Sequence, residues 1–289
     1  ILLGLWFVAT CYATLKGIRF TLILAPAYAV AFGTAIGMLY ALFSKWLSKE
    51  LHVHKAIGAV LLIVLFGVLF IAPVKNAYGV AKSDLPIVND VWWNSLKAIE
   101  VNSSNNAIIT SWWDFGHHFK EIAKRPVTFD GTTQTFPPAH WVGKMLMVSD
   151  EQYASGILRM LDCSGGSNAF TAIDAKTKNA AKSIAIADEL LSVEKNEAEK
   201  KLEKRGFSKE EAAKIVSYTH CDSPPEGFVV ASNDMVGKSG VWSHFGSWDF
   251  ERADIWHNVR PKQLEEGIAY MMKEYNYSRE RAESVYYEV

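Results

Sequence analysis

Two long apolar runs fill the first quarter of the chain. Residues 20–43, FTLILAPAYAVAFGTAIGMLYALF, and 56–74, AIGAVLLIVLFGVLFIAPV, are each long enough as helices to cross a hydrocarbon core of about 30 Å. The second run carries no charge, which favours a lipid-facing span over a buried helix of a water-soluble domain. Residues 1–13 are apolar but too short to cross alone, and read as the tail of a further span. Gly33, Gly37 and Ala41 recur every four residues, a spacing that predicts close helix packing in lipid. The segment 44–55 between the long runs holds Lys45, Lys49 and Lys55, which places it in the cytoplasm. Everything after residue 75 is then extracytoplasmic. Lys16 and Arg19 fall on the outer side, against the charge rule. Snorkelling to headgroups and a cation held for a lipid phosphate are both open readings.

Beyond residue 75 the period shortens and mixes. NDVWWNSLKAIEV (89–101) predicts a helix capped by Asn89 or Asp90, with Trp92, Leu96 and Ile99 on one face. NAIIT (106–110) and GFVVAS (227–232) are short apolar strands. HHFKEIAKR and residues 140–162 have helical spacing. Glu194 to Arg205 is a charged helix with Glu197 and Lys201 at i,i+4, closed by Gly206. Ser208 and Glu211 then form a capping-box pattern. The helical hairpin at 194–220 is expected to be a solvated surface insertion. The predicted fold is thus a membrane protein: α-helical transmembrane spans over residues 1–75, then a mixed α/β, mainly α, globular domain over 76–289.

Net charge is −1, so no overall basic field draws nucleic acid. Cys11, Cys163 and Cys221 show no metal-binding spacing, and Cys163 and Cys221 can pair only if their compartment is oxidising. The chain opens on ILLGLWFVAT, with neither Met nor a charged leader, and is expected to be a fragment from the middle of a larger protein, entered inside a membrane span.

The chemistry concentrates in SWWDFGHHFK, residues 111–120. Indole N–H groups only donate hydrogen bonds and an ionised carboxylate only accepts. Trp112, Trp113 and Asp114 on one turn are therefore the complement of a single hydroxyl, which both donates and accepts. A site of this kind rejects an analogue lacking the hydroxyl by roughly 10⁴-fold. Gly116 is expected to let the turn close and the backbone approach a ligand. The competing reading makes both indoles structural aromatics, as expected for Trp92 and Trp93. His117, His118, His140, His220 and Cys221 have no ligand spacing, and no metal ligand is assigned among them.

WWDFG after a short strand, just beyond the last span, resembles the WWDYG signature of oligosaccharyltransferase catalytic subunits, the enzymes of Asn-linked glycosylation, with Phe115 in place of the Tyr. KGIRFTLILAP (16–26) and AKRPVTFDGTTQ (123–134) are similar to other segments of that family. NDMVGKSGVW (233–242) resembles its second peptide-site motif, with Met235, Lys238 and Trp242 at the expected spacings and Asp234 four rather than three residues before the lysine. Asp174 with Lys178 is the competing register. The wording is closest to archaeal, AglB-type members, which work as single subunits.

The resemblance implies a glycosyltransferase that moves an oligosaccharide from a dolichol-type lipid carrier to the asparagine of Asn-X-Ser/Thr acceptors, with inversion at the sugar carbon. It implies that Trp112, Trp113, Asp114, Phe115 and Gly116 form the site for the Ser/Thr hydroxyl. Met235, Lys238 and Trp242 would line the same pocket, and Arg19 would hold the donor's phosphate. A divalent metal, Mn²⁺ or Mg²⁺, with acidic residues activates the asparagine in this family. Those residues are expected upstream, so no catalytic residue and no metal ligand is assigned in this chain. Two alternatives stand beside this reading: a membrane-anchored peptide- or carbohydrate-binding module without catalysis, and a zinc hydrolase built on the histidines. Two acceptor triplets, Asn102-Ser103-Ser104 and Asn276-Tyr277-Ser278, occur in the chain itself.

Overall fold

The computed structural model describes residues 1–50, 54–134 and 137–289. The chain divides into two units, Ile1–Pro86 and Ile87–Val289. The N-terminal unit is three helices, α1 (Leu2–Lys16), α2 (Thr21–Glu50) and α3 (Lys55–Ser83), with a 3₁₀ turn at Ile18–Phe20. Two segments, Ile18–Glu50 and Ala56–Ser83, are long and apolar enough to cross a membrane, with mean hydropathies of 1.9 and 2.9. Their apolar side chains point outward: Leu22 is 83% exposed and Ile63 71%. Both helices outrun the expected spans. α2 continues through residues 44–50 of the lysine-bearing segment expected as a loop, of which 51–53 lie outside the described residues. α3 passes through Pro73 and runs to Ser83, beyond the expected end at residue 74. Proline costs a helix one hydrogen bond and a kink, but a long apolar helix can carry it. The first compact unit accordingly runs on to Pro86. Gly33 and Gly37 line a crevice shared with Ala59, Ile63 and Phe66 of α3, yet a Cβ on either glycine would meet nothing within 4 Å. The expected tight glycine contact is instead a gap.

The C-terminal unit opens with α4 (Asp90–Asn102), capped by the Asn89 side chain, which accepts from the Trp92 N–H at 3.1 Å. It continues through β1 (Ile108–Thr110), α5 (Gly116–Ile122), α6 (Pro138–Met147), α7 (Glu151–Ser164), α8 (Ser167–Thr177), α9 (Ala180–Leu191), α10 (Lys195–Lys204) and α11 (Lys209–Thr219). Next come β2 (Gly227–Val229), α12 (Asn233–Gly237), α13 (Ser239–Gly246), α14 (Phe250–Val259), α15 (Leu264–Tyr275) and α16 (Arg279–Glu288). The expected helix over 140–162 is two helices, with Asp150 capping the second by accepting from the Gln152 and Tyr153 amides.

Three apolar clusters hold this unit. The largest gathers Trp112, Trp141, Ile157, Met160, Ile173 and Leu190 with residues of α10 and α11. The second, Leu96, Ile109, Phe119 and Ile122, joins α4, β1 and α5. The third ties α14, α15 and α16 together through Ile255, Ile268, Met271 and Ala282. The α10–α11 hairpin corrects an expectation. Its capping box and the Gly206 turn at φ 88° are as the sequence predicts. Ala198, Leu202, Phe207, Ile215 and Val216, however, are buried in the main core. The charges lie on one face only, so the hairpin is a core element with a solvated back. A disulfide, Cys163–Cys221, joins the end of α7 to the residues after α11 with a Cα–Cα distance of 5.7 Å.

Candidate functional site

β1 and β2 are paired in parallel, Ile108 with Gly227, Ile109 with Phe228 and Thr110 with Val229. Their carboxyl ends open on the same side, the side on which parallel sheets usually place ligands. The two segments singled out in the sequence leave from these two ends.

From β1 the chain passes Ser111 and Trp112 into a 3₁₀ turn at Trp113–Phe115 and then into α5. Trp112 is 2% exposed, with its ring edge-on to Phe129 at 5.5 Å and tilted against Phe245 at 6.0 Å. It forms the platform of the turn, whereas Trp113 and Asp114 remain partly exposed. Phe115 stacks on Trp92 at 4.7 Å. Gly116 has ordinary helical angles, φ −53° and ψ −38°. Its requirement is steric: a Cβ there would lie 2.6 Å from the Asp130 Cβ and 2.8 Å from the Phe129 carbonyl oxygen. The close approach expected with a ligand is thus made by the chain's own 129–130 segment. Asp130 is fully buried. Lys120, then the Thr132 hydroxyl and amide, donate to its carboxylate and hold it well below the usual carboxylate range. His117 Nδ1 lies 3.6 Å from the same carboxylate, and the His118 ring 5.9 Å from that of Phe115.

From β2 the chain enters α12 and α13. Met235 is buried, and its sulfur accepts from the Ser111 hydroxyl at 3.7 Å and from the Ser232 N–H at 3.5 Å. Trp242 Nε1 donates to the Met235 carbonyl at 2.9 Å. Lys238 closes the two turns on each other. Its ammonium is 2.8 Å from Asp114 Oδ1 and 2.9 Å from Asp234 Oδ2. Burial works to lower the Lys238 pKa, but the two carboxylates outweigh it and raise it. Asp114 Oδ2 is buried and has no hydrogen-bond partner among the described residues. An enclosed carboxylate oxygen without a donor is costly, and it marks a place where a hydroxyl or amide donor would be taken up.

Trp112, Trp113, Asp114, Phe115, Gly116, Met235, Lys238 and Trp242 are therefore brought into one region of the C-terminal unit. The competing register is not. Asp174 accepts from Ser183 at 2.8 Å, and Lys178 ends α8 in the left-handed conformation at φ 50°. Arg19 lies in the 3₁₀ turn of the N-terminal unit and is exposed. One residue was missed as a contributor, Asp130, which braces the turn from below, and Asp234, read in the sequence as one residue out of register, is the second partner of Lys238. The FDG stretch and the i,i+4 spacing of Asp234 with Lys238 were the available signals. Among the described residues no group of three or more His, Cys, Asp or Glu side chains gathers as a metal site.

The fold and site define a helical protein with long apolar N-terminal helices and a two-turn polar site at the ends of parallel strands. The chain is 27% identical to a dolichyl-phosphooligosaccharide-protein glycotransferase of Methanococcus voltae, over 86% of this chain and 34% of that protein. It is 29% identical to the protein of that name in Methanocaldococcus jannaschii, over 86% of this chain and 33% of that protein. A shorter match, 29% identical over 44% of this chain and 16% of the relative, is to dolichyl-phosphooligosaccharide-protein glycotransferase 2 of Pyrococcus horikoshii. The chain spans about a third of the length of the first two relatives. No family model matches it.

Proposed function

We propose that this chain is the C-terminal part of a membrane oligosaccharyltransferase. The enzyme transfers an oligosaccharide from a dolichol-type lipid carrier to the asparagine of Asn-X-Ser/Thr acceptors. The observation that carries the reading is the Asp114–Lys238 contact, which joins the two peptide-site segments while leaving Asp114 Oδ2 without a donor. The names of the archaeal relatives agree with it.

In this reading the acceptor's hydroxyl donates to Asp114 Oδ2 and accepts from the Trp113 indole N–H. Trp112 supports the turn from the core. Lys238 orients Asp114 as an acceptor, and Met235 and Trp242 close the wall that a threonine methyl meets. Arg19 neutralises the donor's phosphate as it leaves. α2 and α3 span the membrane, and residues 87–289 lie outside the cytoplasm, where the Cys163–Cys221 bridge is stable. The described residues do not supply a site for the divalent metal that the family resemblance implies, and no step assigned to these residues runs through one.

The test uses membranes carrying the full-length protein, lipid-linked oligosaccharide, a divalent metal, and peptides containing Asn-Ala-Thr, Asn-Ala-Ala or Gln-Ala-Thr. Glycosylation of the first alone is expected, and Trp113→Ala is expected to abolish it. Undiminished transfer by Trp113→Ala would remove the hydroxyl site from this turn. Hydroxyl-dependent binding without transfer would leave the binding-module reading in its place.

A further inference from the structure

A groove of about 470 Å³ opens at the carboxyl end of β2, beside the Asp114–Lys238–Asp234 cluster. Its floor is the stacked pair Trp92 and Phe115, and Val230 forms one wall. Ser95, Asn233 and Asp234 supply a polar rim. Phe115 and Asp234 each belong to the groove and adjoin the cluster: Phe115 follows Asp114 in the chain, and Asp234 shares Lys238 with it. The groove therefore adjoins, through these two residues, the cluster where a hydroxyl would be read. Flat aromatic faces over a polar rim suit an apolar side chain whose flanking backbone finds hydrogen-bond partners at the edge.

Resting on the reading of this site as the acceptor's hydroxyl reader, we propose that the Trp92–Phe115–Val230 groove takes an apolar side chain of the acceptor segment on the carboxyl-terminal side of the Ser/Thr. The direction follows from the acceptor's own geometry. Its asparagine lies on the amino-terminal side of the hydroxyl residue and runs to the transfer centre, to which no acidic group of this chain is assigned. The carboxyl-terminal side is what remains for a groove that begins one residue from Asp114. Acceptor choice then extends beyond the Asn-X-Ser/Thr triplet.

The experiment measures kcat/KM of the full-length protein in membranes, with lipid-linked oligosaccharide and Asn-Ala-Thr peptides carrying Ala, Leu, Phe or Glu at each of the next two positions. Asn-Ala-Ala peptides with the same flanks serve as controls. Leu or Phe at one position is expected to exceed Ala and Glu by roughly tenfold, the discrimination one apolar pocket can supply. Val91→Trp and Ala231→Trp fill the groove from exposed positions. They are expected to bring the preference within about twofold while leaving the Ala-flanked peptide and the melting temperature unchanged. Transfer that needs the hydroxyl yet ignores the flank would overturn the groove assignment and leave the hydroxyl site standing. So would a flank preference that survives both variants. Equal transfer to Thr and Ala peptides would overturn the hydroxyl site itself, and the groove with it.

Discussion

The turn after β1 and the turn after β2 meet at one site but are built in opposite ways. After β1 the positions on either side of Trp113 and Asp114 are committed to packing: Trp112 to the main core, Phe115 to Trp92, and the bare Cα of Gly116 to the 129–130 segment. After β2 the hold is lighter in α12, whereas α13 packs Trp242 and Gly246 closely against Gly143 of α6. Met235 is the single buried anchor of α12, Val236 is 72% exposed, and Val241 is 50% exposed. Lys238 is tied by ion pairs at the surface of the site. A rigid half can present a carboxylate and an indole at fixed spacing, while a lightly held half can adjust to the ligand. Stability and recognition should therefore separate between the two turns on mutation.

The largest effect is expected on the β1 side. Trp112→Ala empties a fully packed site between Phe129 and Phe245, and should cost about 3–5 kcal/mol of stability. Thermal unfolding followed by tryptophan fluorescence would show it as a large drop in midpoint. A midpoint within a degree of wild type, with transfer lost, would make Trp112 a ligand contact and erase the contrast between the turns.

Next comes Lys238→Met. Its partners are partly exposed, so the ion pairs should contribute no more than about 1 kcal/mol to stability. Recognition should suffer more, because Asp114 loses the cation that orients it. A rise in acceptor KM of tenfold or more with an almost unchanged midpoint is expected, since a charge-assisted contact is worth about 1.5–3 kcal/mol. If the variant melts early instead, Lys238 is a structural brace and the β2 turn is no lighter than its neighbour.

The same contrast governs what the sequence made legible. The apolar runs, the Asn89 cap, the Ser208 capping box and both strands could be read because each is a local pattern that needs no tertiary knowledge. The Trp-Trp-Asp turn was legible because its donors and acceptors are consecutive. The partnership of Lys238 with Asp114 was not, because it spans more than a hundred residues and exists only through the parallel pairing of β1 with β2. The hairpin at 194–220 misled for a related reason: its charges dominate the sequence, while the burial of Leu202 and Ile215 depends on α7 and α8 lying beneath them. Gly116 misled because a glycine at a turn invites a conformational explanation, whereas its backbone angles are those of any helix and its neighbour Asp130 sets the need.

A last test sharpens the comparison from underneath β2. Asp162, at the end of α7, lines a cavity with Arg159, Pro224 and Gly227 of the β2 approach, and its Oδ1 is buried with no partner among the described residues. Burial pushes its carboxyl up to about 7. In the unfolded chain the group loses its proton near the ordinary value of about 3.9. Between about pH 4 and 7 the folded state therefore binds the extra proton, and stability falls as pH rises; above about 7 both states are ionised and the loss is constant. Asp162→Asn removes the titration. Its melting temperature should exceed that of the wild type at pH 7.5, and the gap should shrink as the pH is lowered toward 4. Parallel melting curves across that range would mean that water reaches the carboxylate and that the support under β2 is as settled as that under β1. A converging pair would place the less settled packing under the strand that leads to Lys238.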